Sequence, residues 1–167
     1  MPTENSDALI SKIRFLTGCS PNPPVLLCIG SDRVTGDAFG PFAGHILSAE
    51  LNVSAYVYGT LTAPVTALNL VETLSFIKAN HKDSLIIAID SSLGAKDDVG
   101  SIRVLSDGIY PGAADGKTLP KVGDAAITAT VAESGGGELY GVRLGFVYFL
   151  AKTVAEALAR GLERKAS

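Results

Sequence analysis

Charge is scarce in this chain, and so are the residues that most often advertise chemistry. Only 19% of its 167 residues are Asp, Glu, Lys or Arg, and the formal net charge is -3, where a globular domain carries about 25% charged residues. The pI is near 5.3 and the two signs are interspersed, so there is no basic footprint for nucleic-acid phosphates or anionic lipid. Neither nucleic acid nor a membrane is expected as a direct partner, while a basic protein substrate stays open. Cysteine occurs twice, at Cys19 and Cys28; the spacing fits neither a paired metal site nor a redox motif, and both are expected to be reduced structural thiols. Histidine also occurs twice: His45 falls in the first predicted crossover helix and His81 in a polar turn. Neither is expected to ligate a metal, because a ligand His needs partners close to the site. No apolar run approaches the 18 or so residues of a membrane span, the richest stretch, Leu144 to Ala151, lying between Arg143 and Lys152. The first seven residues lack the basic segment and apolar core of a secretory signal, so a cytoplasmic location is expected.

Apolar residues, by contrast, make up 47% of the chain, and their spacing alternates between strand and helix patterns. Residues 5 to 17 carry Leu9, Ile10, Ile13 and Leu16 at helical spacing; with the Pro-rich connector up to Pro24 they read as a lead-in to a single domain over 25 to 167. Val25 to Ile29 is a continuous apolar run ending at Gly30, the pattern of a strand covered on both faces. Phe39, Phe42, Ala43, Ile46 and Leu47 then predict a helix, with Pro41 tolerable in its first turn. A short strand over 54 to 58 leads to a helix whose predicted buried stripe is Val65, Leu68, Val71, Leu74 and Ile77. Ser84 to Asp90 is a second doubly covered strand and is expected to stop at its carboxylate. Val99 to Leu105 alternates and follows after too short a link for a helical crossover, so it is expected to run antiparallel to that strand. Residues 106 to 125 are irregular and rich in Gly, Pro and Asp, Ala126 to Val131 restores the strand pattern, and a long helix is predicted over 139 to 164. This alternation predicts a three-layer α/β/α domain with a mostly parallel sheet and one antiparallel strand.

In open α/β sheets ligands bind beyond the carboxyl ends of the strands, where the strand order reverses. Asp37 closes the loop after the first strand and Asp90 ends the strand over 84 to 90; a 2-1-3 strand order sets the two side by side. Two close carboxylates share a proton, so one serves as general base and the other as general acid. On spacing alone, Asp37 as a helix N-cap and Asp90 as a turn-former is the favoured reading over the pair. Thr60 and Asn69 follow the second strand and are candidates to hydrogen-bond a substrate backbone; Arg143 is a candidate to pair with an aspartate or a substrate carboxylate. Gly135-Gly136-Gly137 matches neither the Walker pattern nor the dinucleotide fingerprint, and no cofactor is expected.

The segments Gly30-Ser31-Asp32-Arg33-Val34-Thr35-Gly36-Asp37-Ala38-Phe39-Gly40-Pro41, Tyr58-Gly59-Thr60-Leu61, Ala67-Leu68-Asn69-Leu70 and Ala88-Ile89-Asp90, followed by Val99-Gly100-Ser101-Ile102, Pro111-Gly112-Ala113 and Lys117-Thr118-Leu119-Pro120, resemble the YyaC family of sporulation proteins. That family is similar to the germination protease of spores and, more distantly, to the hydrogenase maturation peptidases, which implies a phosphorylase/hydrolase-like fold. The resemblance places Asp37 and Asp90 where the germination protease carries its two catalytic aspartates. It implies a sporulation-associated aspartic-type peptidase acting without a metal on a peptide or small spore protein, in a sporulating cell or forespore. The alternative is a non-catalytic sporulation protein that binds a peptide or protein partner in the same acidic pocket. A metal-dependent peptidase ranks below both, because the segment that would supply a nickel-binding histidine reads Gly108-Ile109-Tyr110-Pro111-Gly112.

Overall fold

The computed structural model describes residues 6–112, 118–135 and 138–163. Five strands form one sheet: β1 (Val25–Cys28), β2 (Tyr56–Tyr58), β3 (Ile86–Gly94), β4 (Ile102–Leu105) and β5 (Ala125–Glu133), in the order β2-β1-β3-β5-β4. The β1–β2, β1–β3 and β3–β5 pairs are parallel, and β4 pairs antiparallel with β5. Helices α1 (Ser6–Thr17), α2 (Phe39–His45) and α4 (Leu144–Leu162) cover one face, and α3 (Leu70–Asn80) covers the other. The result is the mostly parallel three-layer α/β fold expected from the alternation of patterns.

Period-two alternation assigns the faces. Leu26, Cys28, Ile87, Ile89, Ile127 and Ala129 join the core under α1, α2 and α4. Val25, Leu27, Ile86, Ala88 and Ala126 join the core under α3. Both faces of β1 are fully buried, which is why its sequence shows no polar alternation. The lead-in helix α1 contributes Leu9, Ile10 and Ile13 to the larger core and packs along α4.

Several boundaries differ from the sequence expectation, each for a local reason. The strand that was to stop at Asp90 continues to Gly94, because β5 pairs with it as far as Glu133; burial does change there, since the residues through Asp90 are buried and those after it are only partly so. β4 runs antiparallel to β3 as expected, but its pairing partner is β5, which lies between them. Arg103 and Leu105 are exposed, which suits an edge, while β5 is apolar on both faces and takes the interior place. The stripe predicted from Val65 to Ile77 also shifts. Val65 bridges Ile29 at the sheet edge, the helix begins only at Leu70, and its buried residues are Leu70, Leu74 and Ile77, leaving Leu68 and Val71 exposed. α4 starts at Leu144 rather than 139, after a 3-10 turn at Glu138–Tyr140, and Leu144 is exposed. Gly136 and Gly137 of the glycine cluster, and Arg164 at the end of the predicted final helix, lie outside the described residues. Cys28 is buried but Cys19 is exposed, so only the first is a core thiol. Among the described residues no helix is long and apolar enough to cross a membrane.

Candidate active site

The sheet order reverses at β1, where β2 and β3 lie on opposite sides, and the crossover helices α2 and α3 leave on opposite faces. This is the switch point at which an α/β sheet opens a crevice. A cleft of about 1000 Å³ lies there, and Asp37 and Asp90 both line it.

Each carboxylate is set in place by backbone geometry. Cys28, the last residue of β1, pairs with Ile89, so β3 carries Asp90 one step beyond the end of its neighbour. Asp90 follows Ile86 and Ala88 on the face under α3 and is 7% exposed. Its register partner across β5 is Thr128. Asp37 sits in a 3-10 turn, Thr35–Ala38, that packs against β3. That turn folds back on the end of β1: the Ser31 amide donates to the Asp37 carbonyl at 3.2 Å and the Asp37 amide to the Val34 carbonyl at 3.0 Å. Gly30 makes the closure feasible, with φ at 144° and the Asp37 carbonyl oxygen 2.0 Å from where a Cβ would stand. Asp37 does not serve as the cap of α2, whose N-cap position is Ala38 with no side-chain cap bond.

The other candidates separate into different places. Asn69 lines the cleft, but both ends of its amide are engaged locally: Oδ1 accepts from the Thr66 amide at 2.8 Å and Nδ2 donates to the Pro64 carbonyl at 3.1 Å. It braces a turn. Thr60 is absent from the lining, and its hydroxyl accepts from the Ala63 amide at 3.1 Å. Arg143 occupies the N-cap position of α4 and lines a separate concavity with Leu144, Gly145 and Phe146, so the structure does not bring it to the two aspartates. Of the two histidines, His81 takes the Tyr58 hydroxyl at 2.7 Å and stacks on Tyr56 at 4.0 Å, and His45 ends α2.

The cleft also holds residues that sequence reasoning passed over. Asp32 and Arg33 add one charge of each sign, and Leu68 and Tyr140 stand on its walls. Asp32 was visible in the quoted motif; Leu68 was misassigned to the core by its helical spacing, and nothing in the local sequence marks Tyr140. Among the described residues no His or Cys lines the cleft, so the donors they offer to an ion are oxygens. Among the described residues no group of three or more His, Cys, Asp or Glu is placed to hold a metal. Tyr110 is exposed and is not part of the lining. This donor set does not fit nickel, which imidazole and thiolate suit better than carboxylate alone.

Residues 3–157 match the family described as Protein of unknown function (DUF1256), and the chain belongs to that family. It is 39% identical over 154 residues, 90% of its length, to the uncharacterized protein YyaC of Bacillus subtilis (strain 168), covering 74% of that protein. The fold is similar to the crystal structure of a NiFe hydrogenase maturation protease, HycI, from Thermococcus kodakarensis KOD1, with a TM-score of 0.50, 15% identity, and 87% of this chain and 97% of that one covered. The likeness to HycI is one of fold.

Proposed function

We propose that this protein is a peptidase of the aspartic type, acting in sporulating cells, with Asp37 and Asp90 as its catalytic pair. The observation that carries the reading is that two carboxylates, one from the turn after β1 and one on β3, line one cleft at the sheet's switch point. In the pair, the ionised carboxylate takes a proton from water while the water oxygen attacks the peptide carbonyl carbon. The protonated partner gives its proton to the carbonyl oxygen. Collapse of the tetrahedral intermediate returns a proton to the amide nitrogen, and the C–N bond breaks. The substrate class suggested by the sequence resemblance is small spore proteins.

The test is mass spectrometry of small acid-soluble spore proteins incubated with the pure protein, with a chelator in a parallel arm. Discrete fragments are expected, unchanged by chelator, and reduced about 10²- to 10⁴-fold in rate by Asp37→Asn or Asp90→Asn, the range that general acid–base groups contribute. Intact substrate in every arm would overturn the reading in favour of a partner-binding protein.

A further inference from the structure

Building on the peptidase reading, we propose that the cleft selects an extended peptide by its apolar side chains, received by Leu68 and Tyr140, which both line it. Leu68 is 98% exposed, and a single exposed Leu is ordinary in itself. What distinguishes this one is the brace beneath it. The Leu68 amide donates to the Thr66 hydroxyl at 3.2 Å, the Thr66 amide to Asn69 Oδ1 at 2.8 Å, and Asn69 Nδ2 to the Pro64 carbonyl at 3.1 Å. The turn is thus held by its own polar groups and carries Leu68 outward without using it for packing. Tyr140 is 78% exposed. Its neighbour Leu139 lies against Gly36, 2.7 Å from where a Cβ would stand, which ties the Tyr140 turn to the turn that carries Asp37.

Both side chains line the cleft that holds Asp37 and Asp90. A peptide laid in it with its scissile bond at the pair therefore presents neighbouring side chains to Leu68 and Tyr140. The volume of about 1000 Å³ suits such a stretch better than a single amino acid.

Binding is the readout, because it needs no turnover. Fluorescein-labelled Gly/Ser octapeptides with a central Ala-Ala pair would carry Leu or Ser on each side of it, and polarisation would be measured with the Asp90→Asn protein and, separately, with Asp37→Asn. The Leu peptide is expected to bind at least about tenfold more tightly than the Ser peptide, the gain from burying one large apolar side chain. Leu68→Ser or Tyr140→Ser in the same background should remove about tenfold for the Leu peptide and leave the Ser peptide unchanged. Both sites are exposed, and an unchanged melting temperature confirms that the variants fold. Equal affinity for the two peptides, or indifference to both substitutions, would overturn the proposal. Leu68-dependent binding without cleavage would sink the peptidase reading alone, and cleavage without that dependence would sink the recognition alone.

Discussion

Gly40 is the position at which a single methyl group should test how Asp37 is seated. It lies in α2, three residues after Asp37, and a Cβ there would stand 2.1 Å from the Ile29 carbonyl oxygen and 2.8 Å from the Ile29 nitrogen. Restoring an ordinary contact of 3.4 Å requires α2 to retreat by about 1.3 Å. The obstacle is backbone, and Ile29 is itself tied to β3 by a bond from its amide to the Ile89 carbonyl at 2.8 Å, so the helix must yield rather than the sheet. Overpacking of this kind costs about 1–3 kcal/mol, against a helix-propensity gain for Gly→Ala of up to about 1 kcal/mol. We expect Gly40→Ala to lose about 1–2 kcal/mol, and the melting temperature to fall by about 2–4 °C per kcal/mol in a domain of this size. A displacement of about 1 Å at a reacting group is worth about 10² in rate, so cleavage should fall further than stability. Gly145→Ala is the control: it lies in α4 with nothing within 4 Å of the added methyl, and it should leave the protein as stable or up to about 1 kcal/mol more stable. Urea unfolding followed by circular dichroism, with cleavage measured on the same samples, compares them. If Gly40→Ala matches wild type or behaves like Gly145→Ala, the close backbone approach has been misread.

Two further perturbations probe the rest of the molecule. Burial, with Tyr56 nearby adding to it, pushes the Tyr58 phenol above its usual 10.0. A folded value above the unfolded one means that the contribution is complete below about pH 10 and is lost as pH rises through the folded value. Tyr58→Phe, which removes the 2.7 Å bond to His81, should therefore cost about 1 kcal/mol at neutral pH; the gap in melting temperature from wild type should narrow toward about pH 11, and a constant gap would refute the assignment. A thiol reagent should label one cysteine per native chain, the exposed Cys19, and a second only on unfolding, because Cys28 is buried and its thiol is held well above the ordinary range. Rapid labelling of two thiols in the native state would mean that β1 is not covered as described.

Much of the scaffold was legible in the chain because burial on both faces leaves a plain mark. Val25 to Cys28 and Ile86 to Ile89 read as apolar runs since neither strand has a solvent side. The Asp90 carboxylate was legible for the same reason: it interrupts such a run, and the run then loses its full burial. Asp37 was legible as a position after a strand, but its 3-10 turn was not, because the closure depends on where the Asp37 carbonyl meets Gly30. The start of α3 was misplaced because Val65, Leu68 and Val71 keep helical spacing while Val65 is spent on a bridge to Ile29. Periodicity cannot tell which of two apolar registers the neighbouring strand will claim.

The features that single segments carry are therefore local and repetitive: the number and type of elements, the two doubly covered strands, and the two aspartates that come after fully apolar runs. Those follow from the periods of the backbone, which each segment carries alone. It took the folded chain to set which strand accepts β4, that Asn69 braces a turn while Arg143 lies apart, and that Leu68 and Tyr140 line the same cleft as Asp37 and Asp90. The Asn69 brace joins residues only three and five positions apart; the others depend on contacts between residues far apart in the chain, where sheet order and backbone clearance, not local spacing, set what can meet.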